Sequence, residues 1–389
     1  SSGSPDALPG ADCGTMSALL AEHLGYLSDA IRLERFRAAV AAVIKPGDTV
    51  VDLGCGTGIL GLICLQAGAA RVHFVDDGPM IEVARRTMEQ AGFAGRVTFA
   101  RGRSQQVTLP ERVDVVICDH VGCLGFDYGI LELLADAKRR FLKPGGRLIP
   151  ASIHLELSAI ESHECRKRAS GWQMAPVPEA LHWVGDYGVN AAHHVGLRRG
   201  DLLGEPAQLG SLIPGNDHKD FHAWNAQLPI RRDGELHGLG GWIRCELAPG
   251  IFMSNSPVAD EPIDRCQVFL PLGEAVSVTA GERIDAVLQA RPADGLLAWS
   301  VSFGDGRRIR HSTWEGLPFS ADHLLRADPG RVPRVHAMAQ ARALVLGYCD
   351  GRRTMGEIEK LVLRDHPTLL PSSAEISRFV VQVLQRETE

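Results

Sequence analysis

The segment Val51-Asp52-Leu53-Gly54-Cys55-Gly56-Thr57-Gly58 constrains this chain more than any other. Thr49 to Leu53 reads as a short buried strand. It runs into glycines at alternate positions and then into a helical pattern from Ile59 to Gly68. Glycine lets a backbone turn tightly and pass beneath a ligand that a Cβ would obstruct. A strand, a glycine-rich turn and a helix in that order predict one unit of a parallel sheet. The alternation continues downstream. Arg71 to Asp76 reads as a strand and Met80 to Ala91 as a helix. Val97-Thr98-Phe99 and Val113 to Ile117 read as further strands, and Leu131 to Leu142 as a helix before Lys143-Pro144-Gly145-Gly146. A mostly parallel sheet with helices on both faces is expected.

Other patterns flank this region. Residues 16 to 44 carry apolar residues near helical spacing, from Leu19 and Leu20 to Val43, and predict a helix before the sheet. After Pro150 the strong stretches are short and strand-like, such as Trp242 to Leu247, Gln267 to Leu270, Arg283 to Leu288 and Leu297 to Phe303. An antiparallel sheet or barrel is the natural reading. Residues from about 320 to the end turn helical again.

Composition narrows the function classes. The 389 residues include 41 basic and 47 acidic side chains, for a net charge of -6. That balance argues against a broad nucleic-acid surface. No apolar run is long enough for a membrane helix and no secretory pattern opens the chain, so a cytoplasmic protein is expected. The nine cysteines are scattered without a Cys-x-x-Cys pair, which speaks for reduced thiols. Cys118 and Cys123 are poorly spaced for zinc. The pairs His193-His194 and His218/His222 are what 15 histidines produce by chance, so no metal is expected.

The glycine turn alone also fits a nicotinamide cofactor. The acidic Asp52 before it, and Asp76 at the end of the second strand, sharpen the reading: a carboxylate at Asp76 can accept hydrogen bonds from two ribose hydroxyls. The region resembles the S-adenosylmethionine site of class I methyltransferases. The flanks narrow the resemblance. Leu27-Ser28-Asp29-Ala30-Ile31-Arg32-Leu33-Glu34-Arg35-Phe36-Arg37 is similar to the helix before the sheet in protein arginine N-methyltransferases, as are Gly102 to Pro110, Phe141 to Pro150 and Gln267 to Phe303. The resemblance covers about residues 16 to 305. It implies an α/β fold: a Rossmann-like class I methyltransferase domain, then an antiparallel β-barrel domain, with a small helical C-terminal segment beyond it. The implied boundaries are 1–45 for cofactor-clamp helices, 46–151 for the cofactor domain, 152–318 for the barrel with a dimerisation arm at about 165–195, and 319–389 for the helical segment. The cofactor would be S-adenosylmethionine, with S-adenosylhomocysteine as product. His23 and Arg32 would clamp it, Arg32 facing its carboxylate. Asp52, Gly54, Cys55, Gly56, Thr57, Gly58, Asp76, Asp77, Ser104, Gln105 and Asp119 complete the expected set.

The acceptor side departs from the family pattern. The family loop reads Ser-Glu-Trp-Met-Gly and closes on a second Glu, and the two carboxylates orient a guanidinium, which stays protonated near neutral pH. Here the loop is Cys118-Asp119-His120-Val121-Gly122-Cys123-Leu124-Gly125-Phe126-Asp127-Tyr128. Asp119 takes the first Glu position and Tyr128 the second, with Asp127 one residue earlier. The family's Thr-His-Trp aligns with Pro262-Ile263-Asp264. Asp119 is therefore the expected catalytic residue, assisted by His120 or Asp127. The expected reaction is methyl transfer to a nitrogen of a small molecule or modified peptide, by a homodimer without nucleic-acid or membrane partners. The alternatives are a true protein arginine methyltransferase using Asp119 and Asp127, an O-methyltransferase, and a non-catalytic cofactor- or peptide-binding module. Residues Leu344 to Val383 are similar in layout to small helical domains of the PqqD type, which bind leader peptides; a helical lid or oligomer contact is the plainer reading.

Overall fold

Five strands with apolar interiors build the first sheet. In the computed structural model, which describes residues 13–216, 219–317, 330 and 332–388 with side chains from residue 17 on, these are β1 (Thr49–Leu53), β2 (Arg71–Asp76), β3 (Val97–Arg101), β4 (Val113–Cys118) and β5 (Leu142–Ile149). The order is β3-β2-β1-β4-β5, all pairs parallel. Every residue of β1 is buried, as a central strand covered on both faces requires. Helices α3 (Ile59–Gln66), α4 (Ile81–Gln90) and α5 (Ile130–Arg140) connect the strands. Helix α5 carries Glu132 in its first turn and Lys138, Arg139 and Arg140 in its last, the charge order its dipole favours. The chain reverses direction across the sheet between β1 and β4, so the crevice at their C-terminal ends is where this topology places a ligand.

The stretch expected as one helix before the sheet is two, α1 (Cys13–Ser28) and α2 (Ala30–Val43). Asp29 causes the break. Its carboxylate accepts the Arg32 N–H at 2.9 Å and so caps α2. It also accepts the Asp264 N–H at 2.9 Å, which ties the helix start to the second half of the fold.

The second half is antiparallel. One sheet has the order β7-β12-β10-β6-β8, with β11 also paired to β10; the other has the order β15-β14-β13-β9. The strands are β6 (Ser152–Ile160), β7 (His193–Val195), β8 (Ala207–Leu212), β9 (His222–Pro229), β10 (Gly234–Ala248), β11 (Ile251–Ser254), β12 (Gln267–Val278), β13 (Arg283–Arg291), β14 (Leu296–Ser302) and β15 (Arg308–Ser312). Burial alternates along β13, as a strand with one face on a core requires. One apolar core runs from the parallel sheet into both antiparallel sheets. Between β6 and β7 lie α6 (His163–Ser170), two short 3₁₀ turns and α7 (Gly185–Val189), which leave Trp172, Leu181 and Trp183 exposed.

The chain divides into two compact units, one up to Leu317 and one from Pro318. The second has its own core, with Val345, Val362, Ile376 and Val380 buried, on α8 (Ala337–Leu346), α9 (Met355–Asp365) and α10 (Ser373–Glu387). Thr354 and Glu357 form a reciprocal cap at the start of α9. Among the described residues no helix is long and apolar enough to cross a membrane.

Candidate active site

The glycine turn forms the floor of a cavity of about 500 Å³ at the ends of β1 and β4, within the range of small-molecule sites, roughly 300–1,000 Å³. Gly54 and Gly56 have φ of +65° and +50°. A Cβ on Gly54 would lie 2.2 Å from His120 Nε2, and one on Gly56 would lie 2.6 Å from the His23 ring. Both turns therefore need glycine twice over, for backbone conformation and for the imidazole above. Gly61, one turn into α3, is equally constrained: its Cβ would meet the Phe74 ring at 2.3 Å, so it sets how closely α3 packs on β2.

Asp76 closes the β2 end. Its Oδ2 accepts the Gly56 N–H at 2.8 Å and its Oδ1 the Gly78 N–H at 2.7 Å. Each oxygen keeps a second lone pair free to accept, and the residue lines the cavity. His23 lies on the cavity face of α1, with Leu19, Glu22 and Tyr26 at helical spacing beside it. Tyr26 donates to Glu22 at 3.0 Å, and burial, then that bond, pushes its phenol up to about 12.

Arg32 is buried between the rings of Tyr26 and Phe36, 5.5 and 5.4 Å from their centroids. It donates to the Tyr26 carbonyl at 3.0 Å and pairs with Asp119 through Nε and Nη2. Arg265 approaches the same Asp119 Oδ2 at 3.4 Å and also donates to the Gly122 carbonyl at 3.2 Å. One carboxylate oxygen thus serves two buried guanidinium groups. The other, Asp119 Oδ1, is buried and has no hydrogen-bond partner.

The structure brings His23, Arg32, Gly54, Cys55, Gly56, Thr57, Asp76, Asp77, Ser104, Gln105, Asp119 and His120 to the cavity wall. The Cys55 thiol lies there with its pKa raised by burial and by the charges of Asp52 and Asp76. Gly58 and Asp52 stand behind the wall. Gly58 starts α3 at φ +78°. Asp52, 1% exposed, accepts the Gly61 N–H at 2.8 Å and leaves Oδ1 without a partner, so it braces the turn from below. Asp127 is turned away: its oxygens accept the N–H groups of Cys123 at 2.8 Å and Leu124 at 3.0 Å, and it caps its own loop. Tyr128 reaches the cavity, and Asp264 is exposed and outside it. His218 lies outside the described residues.

Arg265, Tyr26 and Glu22 were not among the residues the sequence singled out. Tyr26 and Glu22 share the helix face of His23, a signal that was available in the spacing. Arg265 had none, because it reaches Asp119 across 146 residues of chain.

The cavity fits the expected cofactor on its own geometry. The cavity beside the glycine turn is of the right size, the imidazoles of His23 and His120 close it over Gly56 and Gly54, Asp76 would offer acceptors for ribose, and Arg32, here paired with Asp119, would offer a guanidinium for a carboxylate. Comparison with known proteins agrees. A methyltransferase domain family matches residues 50–146. The ribosomal protein arginine N-methyltransferase rmt3 of Schizosaccharomyces pombe is 38% identical over 146 residues, which is 36% of this chain and 27% of that protein. A probable protein arginine N-methyltransferase 6 of Arabidopsis thaliana is 36% identical, again over 146 residues and 33% of its length, so the chain spans a third or less of these two relatives. Protein arginine N-methyltransferase 1 of Chlamydomonas reinhardtii is 34% identical over 288 residues, covering 69% of this chain and 80% of that protein. Among solved structures, the Trypanosoma brucei PRMT1 enzyme-prozyme heterotetrameric complex with AdoHcy superposes with a TM-score of 0.66 at 20% identity, covering 75% of this chain and 97% of that one. Arabidopsis thaliana protein arginine methyltransferase 10 gives 0.66 at 19% identity over 76% and 98%. With 34% identity to a relative of which it covers 80%, the chain belongs to the protein arginine N-methyltransferase family of class I S-adenosylmethionine-dependent methyltransferases.

Proposed function

We propose that the protein methylates a guanidinium nitrogen of arginine in a protein or peptide, with S-adenosylmethionine as methyl donor. The observation that carries this is Asp119: a buried carboxylate at the cavity wall that already binds guanidinium on Oδ2 and keeps Oδ1 unpartnered. A buried acceptor without a donor costs roughly 1–3 kcal/mol, and an N–H of the incoming acceptor relieves it. The cofactor supplies an electrophilic methyl on a sulfonium. Asp119 would orient and polarise the acceptor nitrogen for that transfer. His120 lies over Gly54 on the same wall and would take the proton the product nitrogen loses. The reading of the sequence put a small molecule or modified peptide first. The relatives named above are protein arginine methyltransferases, and they fit the protein-arginine alternative at least as well, though with Asp119 alone in place of the Asp119–Asp127 pair.

A second reading stays in play on one observation. Asp127 is spent on its own loop, and Arg265 adds a positive charge 3.4 Å from Asp119. One carboxylate beside an extra cation also suits a small nitrogen acceptor that arrives neutral. Incubation with labelled methyl donor separates the two. An arginine-rich peptide should yield methylarginine after hydrolysis, and Asp119→Asn should cut turnover by about 10²-fold or more, far more than it changes affinity for the demethylated cofactor. Label entering only small amines or guanidines would replace the first reading by the second. The exposed Trp172, Leu181 and Trp183 between β6 and β7 support a homodimer formed through that arm; a monomeric mass in light scattering would count against it.

A further inference from the structure

Two cysteines far apart in the chain meet beside the acceptor loop. Cys123 Sγ lies 3.1 Å from Cys266 Sγ. A ring nitrogen of His194 completes a trio whose ligand atoms all lie within 4.8 Å of one another. The meeting is built by the backbone. Cys266 immediately precedes β12, and β12 pairs with β7 so that Val268 stands opposite His194. Cys266 and Val268, two apart, share a sheet face, which makes Cys266 and His194 diagonal neighbours on that face. Cys123 is held from the other side. The wholly buried Asn255 donates through Nδ2 to the carbonyls of both Cys123, at 3.1 Å, and Cys266, at 2.7 Å. Asn255 is itself fixed by accepting the Ile243 N–H at 2.9 Å, and Asp127 accepts the Cys123 N–H. Hydrogen bonds to main-chain groups hold the two cysteines side by side, and their sulfurs lie within hydrogen-bond distance of each other.

We propose that Cys123, Cys266 and His194 form a zinc site that pins the acceptor loop to the edge of β12. Tetrahedral zinc, with bonds of roughly 2.3 Å to sulfur and 2.0 Å to nitrogen, spaces two sulfurs roughly 3.8 Å apart and sulfur and nitrogen roughly 3.6 Å apart. The sulfurs need to part by roughly 0.7 Å, which side-chain rotation supplies. A disulfide would need them to close by roughly 1 Å, to about 2.05 Å, and would leave the imidazole without a role. Zinc binding sends the protons of both thiols to solvent and leaves two thiolates and a neutral imidazole, and the two thiolate charges balance the dication. His194 is exposed, so the fourth position opens to water. The bound ion would fix Asp119 and His120 on one side and Arg265, next to Cys266, on the other. Neither the sequence spacing nor the family relation points to this trio, and the site does not depend on what the acceptor is.

The test uses the full chain, stripped by chelator and kept reduced by a phosphine, and titrated with Zn²⁺ against a chromophoric chelator. One equivalent should bind per chain. Cys123→Ser and Cys266→Ser should abolish it, while Cys349→Ser, at an exposed thiol in the other unit, should not. His194→Ala removes an exposed ring and leaves the Asn255 clamp intact, so it should weaken binding without unfolding the protein. Cobalt in place of zinc should show a thiolate-to-metal charge-transfer band that is lost in the two cysteine variants. Zinc uptake that survives all three substitutions would overturn the proposal. So would a reduced wild-type chain that takes up no zinc, including one whose Cys123 and Cys266 are recovered as a disulfide before reduction.

Discussion

Replacing Asp52 by Asn removes a charge that the fold holds away from water. Asp52 is 1% exposed, its Oδ2 accepts one hydrogen bond from Gly61 and its Oδ1 accepts none. Burial dominates, the Gly61 bond opposes it and the charge of Asp76 adds to it, so the pKa rises from 3.8 to about 7. In the unfolded chain the carboxyl titrates near its ordinary value. Between about pH 4 and about pH 7 the folded state therefore keeps a proton that the unfolded state has lost. Stability falls as pH rises across that window. The contribution is fully present below the lower value and fully lost above the upper one. At about 1.36 kcal/mol per pH unit, a window of about three units amounts to about 4 kcal/mol. Asn resembles the protonated acid in shape and carries no charge. Asp52→Asn should match wild type near the acid end and exceed it by up to about 4 kcal/mol at about pH 8. Urea unfolding followed by tryptophan fluorescence measures this in the relevant unit, because all six tryptophans lie between Trp172 and Trp314. Carboxylates held low by their partners, such as Asp114, which accepts from the Thr49 N–H and from Lys143 against the opposing effect of burial, move stability the opposite way in both proteins and cancel in the difference. A difference between the two proteins that does not change with pH would refute the reasoning.

Two further substitutions separate cofactor binding from folding. Arg32→Lys keeps the charge but not the fork that reaches both Asp119 and the Tyr26 carbonyl; affinity for S-adenosylhomocysteine by calorimetry should fall about tenfold to a hundredfold, and an unchanged Kd would mean that Arg32 does not face the carboxylate. Gly54→Ala puts a methyl 2.2 Å from His120 at φ +65° and should abolish cofactor binding, whereas Gly61→Ala meets Phe74 in the core at 2.3 Å and should lower stability by about 1–3 kcal/mol while the folded fraction still binds cofactor; equal loss of cofactor affinity in the two folded proteins would contradict this division.

The parts of the fold that could be read from the sequence were those whose cause is local. Thr49–Leu53 read as a strand because a short run rich in β-branched and apolar residues enters a glycine turn and a helical pattern. The break at Asp29 was legible only in part. The apolar spacing runs on through α1 and α2, and what divides them is a single side chain bonding the Arg32 N–H. The antiparallel half shows the other limit. Alternation along β13 marks a strand, but nothing within Gln267–Val278 says that its edge neighbour is the short His193–Val195, more than seventy residues earlier in the chain. Strand pairing there is decided by the shared core.

The same division runs through the site. Motif residues on consecutive loops were found, since a parallel sheet carries every strand's C-terminal end to one edge whatever the sequence between. Asp127 shows where spacing fails. Gly122 and Gly125 take φ of +71° and +85°, which curls the loop until the Cys123 and Leu124 N–H groups point back at the carboxylate. A side chain that can satisfy its own loop does so before it serves a ligand. The acceptor side is left with Asp119 between Arg32 and Arg265, one negative charge against two positive ones. On the proposed reading the cofactor carboxylate is what changes this balance. Once Arg32 has that second anion to face, Asp119 is left with Arg265 alone and can hold a protonated acceptor through Oδ1. On the same reading Asp127, spent on the N–H groups of Cys123 and Leu124, adds no charge to the acceptor side, and Asp119 alone would hold the acceptor.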